Sequence, residues 1–170
     1  HEQLKSPDGT LIYGVDYTFD GKIDMIRGAG DTTDQVTVLA TGIPVHDAVA
    51  AAELLSSGPE KIQVRVLNVA CVRPIDSASI VKAALETGHL VVVEDHHSEG
   101  GLATQVADVI ADFALPCSLR RLGVNRYMPS GNANDLKLIA GLDSDSIADA
   151  IQDEVRAEVC GGEDALVTAI

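Results

Sequence analysis

The sequence predicts a three-layer α/β/α domain with a mostly parallel sheet of about five strands and a possible antiparallel edge strand. Two observations carry this prediction. Short β-branched runs alternate with helix-period stretches from residue 35 to about residue 156, as in repeated βαβ units. Hydrophobic residues make up 46% of the 170 residues but aromatic ones only 3%, so the core has to be aliphatic. This length favours one domain.

The first half of the chain supplies an edge strand and a βαβ unit. Alternation across residues 22–27 permits the edge strand, and the run at 36–40 has the composition of a buried strand. Pro44 suits the first turn of the helix that follows, which residues 56–59 bring to an end. The apolar residues at 64–67 predict the next strand.

The second helix has clear signals at both ends. Asp76 is placed to cap its N-terminus, and Ile75 and Ile80 have the spacing of a hydrophobic staple. Gly88 closes it, and the run at 90–93 predicts another strand.

A third helix should follow Gly101. It is expected to place five apolar side chains on one face: Leu102, Val106, Val109, Ile110 and Phe113. Residues 118–122 can form a strand whose two arginines make it an edge or a half-buried one. A short helix near 135–140 and a final helix capped by Asp143 complete the series.

The chain divides into three parts. Residues 1–22 are expected to be a linker or N-terminal arm, residues 23–157 the α/β domain, and residues 158–170 a loosely ordered tail. The chain begins at His1 rather than Met, so we expect a fragment, a processed piece or an excised segment.

Composition argues against several partners. The formal net charge of -14 repels nucleic acid and anionic membranes, and no apolar run is long enough to span a bilayer. Cys71, Cys117 and Cys160 form neither a zinc motif nor a disulfide framework, which favours a reducing, cytoplasmic setting. Cys71 and Cys117 are expected to be small core residues.

The candidate functional residues follow the predicted strands, because ligands and partners of a parallel sheet meet the loops at its carboxyl ends. The most polar of these loops contains Glu94, Asp95, His96, His97, Ser98, Glu99, Gly100 and Gly101. Other candidates are His46, Arg73 and Arg126.

Three interpretations of the polar loop are open. A metal site is disfavoured, because adjacent His96 and His97 point to opposite sides of an extended backbone. Glu94 and Asp95 could serve in acid–base catalysis, although such carboxylates more often accept backbone N–H bonds at a loop or at the next helix N-terminus. The glycines favour a sharp turn rather than a phosphate cradle.

The remaining candidates also have two interpretations each. His46 could contact a ligand, but a surface or interface position is favoured. Arg73 and Arg126 could bind an anion, or pair with surface carboxylates of this acidic chain.

Several segments together resemble the C-terminal domain of transketolase over roughly residues 23–155. The two most specific are VEDHHSEGG and GVNRYMPSG, and they are supported by VTVLATGIPVHDAVAAAELL and IQVRVLNVACVRPID. The first 22 residues match poorly.

The resemblance implies an enzyme that uses thiamine diphosphate and a divalent metal (Mg or Ca) to transfer a two-carbon ketol unit between sugar phosphates. It also implies a homodimer. The family's pyrophosphate and pyrimidine-binding domains, which hold the cofactor and metal, are absent from these residues. We therefore expect a structural, dimer-supporting domain that is inactive alone, with no catalytic, cofactor-binding or metal residue and with strand-end loops facing the rest of the enzyme.

Two alternatives remain open. The same fold could be an independent regulatory or binding module, or, more remotely, a small-molecule enzyme acting through His96 and His97.

Overall fold

β-branched runs and helix-period stretches form ten elements in a computed structural model, which describes residues 3–6 and 8–160. The strands are β1 (Asp24–Arg27), β2 (Val36–Ala40), β3 (Val64–Asn68), β4 (His89–His97) and β5 (Ser118–Val124). The helices are α1 (Pro44–Ser57), α2 (Ser77–Thr87), α3 (Leu102–Asp112), α4 (Ala133–Ala140) and α5 (Ser144–Cys160).

The five strands form one sheet in the order β1-β3-β2-β4-β5. β2 to β5 are parallel, so that Val38 lies beside Val66 on one side and Val91 on the other. β1 pairs antiparallel with β3 at one edge, which confirms the predicted antiparallel edge strand. The four parallel strands end at the same side of the sheet, and we call the loops that follow them the carboxyl edge.

Helices cover both faces of the sheet and give it two aliphatic cores. Val38, Val66 and Val91 face α1 and α5, whereas Leu39 and Val92 face α2 and α3. Every residue of β2 is buried, because that strand has a neighbour on each side and helices on both faces. The three-layer prediction is confirmed.

The predicted caps are present. The Asp76 side chain accepts a hydrogen bond from Ser79 N at 3.5 Å, and Gly88 ends α2 in the left-handed conformation with φ 69°. Asp143 accepts one from Ser146 N at 3.1 Å at the start of α5. Asn132, whose role was not predicted from the sequence, caps α4 by accepting from Asp135 N at 3.0 Å.

Three local predictions were wrong. β4 continues to His97 rather than ending at Val93, because Glu94 is buried and His97 pairs with Val124 of β5. Phe113 lies beyond the end of α3 and is 57% exposed, so it is not part of the core face.

Cys71 is the third. It lies partly exposed in the loop after β3 instead of in a strand, and its thiol donates to Pro74 O at 3.4 Å. Cys117 is partly buried against the α2–α3 core. α5 runs to Cys160, past the predicted domain boundary at 157, and residues 161–170 of the predicted tail lie outside the described residues.

The N-terminal arm folds back onto the sheet. Leu4, Ile12 and Tyr13 pack against the α1–α5 core. Asn68 Nδ2 at the end of β3 donates to Tyr13 Oη at 2.5 Å, and Tyr17 Oη donates to Asp24 Oδ2 at 2.7 Å. The arm therefore covers part of the carboxyl edge.

Candidate functional site

Glu94 is a fully buried polar group at the end of β4, beside the loops of the carboxyl edge. Its side chain is fully buried, and its two oxygens accept hydrogen bonds from Leu102 N at 2.6 Å and Ala103 N at 3.2 Å. These two N–H groups belong to the first turn of α3, whose Gly101 cap has no side chain to offer. The carboxylate thus satisfies open N–H groups at a helix N-terminus, where the helix dipole favours negative charge.

His96 completes a pair with this carboxylate. Its Nε2 lies 2.6 Å from Glu94 Oε2, and its side chain is 48% exposed. Because the Glu94 oxygens also accept two backbone N–H bonds, Nε2 is the ring nitrogen that faces the carboxyl group, and Nδ1 lies on the other side of the ring. The Nδ1 atom lies 3.8 Å from Asp95 Oδ1, so Asp95 and His96 share one exposed surface.

His97 and the residues of the turn after it are held by hydrogen bonds close to the turn. Glu99 N donates to His97 Nδ1 at 3.1 Å, and Ser98 N donates to Val124 O at 3.1 Å. Gly100 N donates to Thr104 Oγ1 at 2.8 Å. His97 therefore fixes the turn, while His96 turns back to Glu94, and the two imidazoles do not converge on one point.

Two glycines allow the close approach of these groups. A Cβ atom on Gly101 would lie 2.2 Å from Glu94 Oε2 and 2.3 Å from His96 Nε2. A Cβ atom on Gly123 would lie 3.1 Å from the Ser98 Cα. The glycine at position 101 is thus required by the Glu94–His96 pair.

The arginine candidates are not brought together. Arg73 is exposed in the loop after β3, and it makes no hydrogen bond or ion pair with the described residues. Arg126 Nη2, in the loop after β5, donates to the backbone oxygen of Ile139 at 2.9 Å rather than to a carboxylate. β2 and β4 separate the two loops, so the arginines do not form a common anion site.

A cleft of about 590 Å³ lies between the N-terminal arm and the ends of β2 and β3. Its lining includes His46, Tyr13 and Asn68, together with Gln3, Leu4, Thr41, Gly42, Val45 and Ala70. Only His46 was predicted from the sequence, because the polar arm has no periodicity that places it over the sheet.

The arm's tyrosines have perturbed acidities. The hydrogen bond to Asp24 raises the pKa of Tyr17 to about 12. Burial raises the pKa of Tyr13 from its usual range. Both phenols are therefore neutral donors at physiological pH, and Asp24 receives their hydrogen bonds.

Two polar clusters at the opposite edge are structural. His89 Nδ1 lies 2.9 Å from Ser118 Oγ and 3.8 Å from Glu154 Oε1, so the same ring nitrogen faces both of these groups, whereas a Ser–His–acid triad places the serine and the acid on different nitrogens. Buried Arg65 bonds Asp34 at 2.9 Å and Glu86 at 2.7 Å, which ties the segment before β2 to α2.

The side chains of the described residues that could bind a metal ion do not come together at one place. Within the described residues, no three His, Cys, Asp or Glu side chains are grouped so that they could hold a metal ion. The buried carboxylate of Glu94 is already engaged by α3 and His96.

Among the helices of residues 3–6 and 8–160, none is long and apolar enough to cross a membrane.

Comparisons with known proteins agree with this architecture. The family model described as "Transketolase, C-terminal domain" matches residues 29–147. Human transketolase is 36% identical over 149 residues, which cover 86% of this chain but only 23% of that protein. One subunit of the apulose-4-phosphate transketolase of Actinobacillus succinogenes is 33% identical over 141 residues, 81% of this chain and 43% of its own length.

Solved structures give the same result. A structure described as "Split gene transketolase, inactive beta4 tetramer" aligns with a TM-score of 0.74 and 30% identity, over 85% of this chain and 45% of that one. Transketolase from Campylobacter jejuni aligns at 17% identity with a TM-score of 0.59, over 82% of this chain and 20% of that one, and supports the fold alone. With the family model matching most of the described domain, the chain belongs to the transketolase C-terminal domain family.

Proposed function

We propose that this chain is the C-terminal, structural and dimer-supporting domain of a thiamine-diphosphate-dependent transketolase that transfers two-carbon ketol units between sugar phosphates. The observation that carries the proposal is the family match over residues 29–147, combined with the small part of each relative that the chain spans, about 23% for the mammalian transketolases. In this proposal the remaining domains supply thiamine diphosphate, the divalent metal and the catalytic groups.

The carboxyl edge supports a structural role for this part of the enzyme. Glu94, one of the two carboxylates considered for acid–base catalysis, is engaged by a backbone N–H group of α3, and His97 accepts a hydrogen bond from Glu99 N. Asp95, His96 and Glu99 are exposed at the same edge and are available to a neighbouring surface. We propose that this loop contacts the pyrophosphate and pyrimidine-binding domains or the second subunit of a cytoplasmic homodimer.

The decisive experiment compares this chain with the same chain joined by the thiamine-binding domains encoded with it. We expect the chain alone to show no heat of thiamine diphosphate binding with Mg²⁺ in calorimetry and no ketol transfer from a ketose phosphate to an aldose phosphate. The reconstituted protein should show both. Cofactor binding or turnover by the chain alone contradicts the proposal, and so does inactivity of the reconstituted protein.

A matched pair of variants tests the interface role of the loop. Glu99→Ala removes an exposed carboxylate from the carboxyl edge, and Asp112→Ala removes one at the end of α3. We expect the first to weaken assembly of the full enzyme severalfold without lowering the melting temperature of this chain, while the second leaves both unchanged. Equal effects of the two variants on assembly would contradict an interface at the loop.

A further inference from the structure

An apolar groove lies at the carboxyl edge, next to the Asp95–His96 surface. It has a volume of about 280 Å³ and lies between α4, the start of α1 and the ends of β4 and β5. We call it the anchor groove. It is lined by Ile43, Pro44, Asp95, Val124, Met128, Ala133, Leu136, Lys137, Ala140 and Leu142.

The wall formed by α4 rests on the surface of the domain. None of its residues is fully buried. Lys137 Nζ bonds Asp47 Oδ2 of α1 at 2.6 Å, and Arg126 bonds the Ile139 oxygen near the helix end. Leu138 of the same helix is 66% exposed. Apolar surface that is clustered around a groove is characteristic of a protein interface rather than of free surface.

The charge at this edge differs from that of the whole chain. The loops of the carboxyl edge contain three exposed charged side chains, those of Arg73, Glu99 and Arg126, and Asp95 is exposed at the end of β4, so the formal charges of these four side chains cancel. The chain as a whole carries -14.

One charge at the rim of the groove has no close partner. Asp95 makes no hydrogen bond within the described part of the chain, and its nearest cation-forming group is His96 Nδ1 at 3.8 Å. Lys137, the other charged residue of the lining, is already paired with Asp47. An occupant that brings a basic group to Asp95 would therefore gain an ion pair in a partly dehydrated setting.

We propose that the anchor groove receives a large apolar side chain flanked by an Arg or Lys residue, presented by the thiamine-binding part of the same enzyme. The apolar side chain fills the groove, and the basic residue pairs with Asp95. This inference rests on the proposed function and deepens it by naming the contact. A second copy of this chain is a poorer occupant, because Asp95 and the overall charge of -14 would repel their counterparts.

Two pairs of matched variants test the groove. Ala133→Trp fills it, whereas Ala111→Trp adds the same bulk at an exposed position of α3. Asp95→Lys reverses the charge at the rim, and Asp112→Lys makes the same change at the end of α3. Each variant chain is titrated with the separately produced thiamine-binding domains in calorimetry, after its melting temperature alone has been compared with that of the wild type.

We expect Ala133→Trp and Asp95→Lys to weaken association by about tenfold or more, as for changes at the centre of an interface, and both controls to stay within about twofold. Association of Ala133→Trp at wild-type strength overturns the proposal. It is also overturned if the wild-type chain self-associates and Ala133→Trp abolishes that, since the occupant is then a second copy. If Ala133→Trp and Asp95→Lys weaken association as expected but the wild-type complex shows no ketol transfer, only the proposed function is refuted. If the wild-type chain does not associate with the thiamine-binding domains at all, both proposals are refuted.

Discussion

At the scale of single residues, Glu94 organises the carboxyl edge because its side-chain oxygens lie where two backbone N–H groups need an acceptor. Burial of a carboxylate is unfavourable unless hydrogen bonds compensate for the lost water. Leu102 N and Ala103 N supply two such bonds, and His96 Nε2 supplies a third. Removing this acceptor would leave buried donors without partners, which is more costly than losing a bond at the surface.

The close approach at Gly101 leads to a prediction about stability. Gly101→Ala places a methyl group against Glu94 and His96 and has to displace the carboxylate from α3, so we expect a loss of about 2 to 3 kcal/mol in the free energy of unfolding. Gly131→Ala is the control, because its Cβ would meet Leu136 Cδ2 at an ordinary 3.5 Å. Urea unfolding measures both. Equal stability of the two variants would show that the Glu94–His96 pair does not require a glycine.

The sequence identifies the polar residues of the carboxyl edge but predicts only part of their geometry. Position after a strand predicted that Glu94 to Gly101 lie at a carboxyl edge, and the usual fate of such carboxylates predicted a helix N-terminus as partner. Which of Glu94 and Asp95 turns inward was not predictable, because a strand buried on both faces has no alternation to continue. Contacts such as Tyr13 with Asn68 join residues 55 positions apart and leave no local signal.

At the scale of elements, α2 depends on a carboxylate that has more than one role. Asp76 caps the helix through Ser79 and also accepts from Ile23 N at 3.3 Å, so that it ties the segment before β1 to α2. Burial raises the pKa of Asp76, but the hydrogen bonds from Ser79 and Ile23 outweigh it, and the pKa lies below its usual range. The side chain therefore stabilises the fold in its ionised form.

The sign of this shift gives a pH-dependent prediction. A depressed pKa stabilises the folded state above the unfolded value of about 4, and the contribution is lost as pH falls through the folded value. We expect Asp76→Ala to lose about 1 to 2 kcal/mol at pH 7, the cost of an N-cap, and its deficit relative to the wild type to shrink below about pH 4. Urea unfolding from pH 7 to pH 3 checks this, with Asp112→Ala as control. A deficit that stays constant with pH would mean that ionisation of Asp76 does not contribute.

The elements differ in how well the sequence predicted them. α2 and α5 carry their caps in the sequence as Asp76 and Asp143, and both were found as expected. The end of β4 was predicted four residues too early, because Glu94 to His97 are polar and do not have the composition of a strand. Their strand conformation follows from the pairing with β5, which continues to His97. A strand with polar residues at its end is recognisable only when its neighbour is known.

At the scale of the whole molecule, the net charge of -14 is spread over 170 residues and opposes compaction. Several ion pairs, such as Arg65 with Asp34 and Lys137 with Asp47, offset some of this repulsion locally. The acids nevertheless outnumber the bases by 26 to 12, so repulsion among unpaired carboxylates dominates. Dissolved salt should therefore stabilise the fold.

We expect added KCl at neutral pH, from low ionic strength to about 0.5 M, to raise the stability of the chain by about 1 kcal/mol, or roughly 2 to 4 °C in melting temperature. The same titration near pH 4.5, close to the isoelectric point, is the control, because little net charge remains to be screened there. Calorimetric melting curves provide the measurement. A fall in melting temperature with salt at neutral pH would show that the ion pairs outweigh the general repulsion.

The fold as a whole was predictable from the hydrophobic periodicity and from the residues that begin and end the helices and strands. Each βαβ crossover has to be right-handed and to return to the same sheet. The strand order β1-β3-β2-β4-β5 was harder to predict, because the sequence does not indicate which strand lies at the centre of the sheet. The apolar composition of residues 36–40 and 90–93 indicates buried strands but does not give their order in the sheet.

The two outer strands have a consequence for behaviour at high concentration. Within the described residues, β1 and β5 each have a neighbouring strand on one side only, and unpaired strand edges can recruit other chains into extended sheets. β5 carries Arg120 and Arg121 next to each other, so one guanidinium projects from either face, and β1 is short and irregular at Arg27. Charge at one edge of the sheet and irregularity at the other disfavour pairing with strands of other molecules. The molecule can therefore expose hydrophobic surface at the anchor groove without providing a template for fibrils.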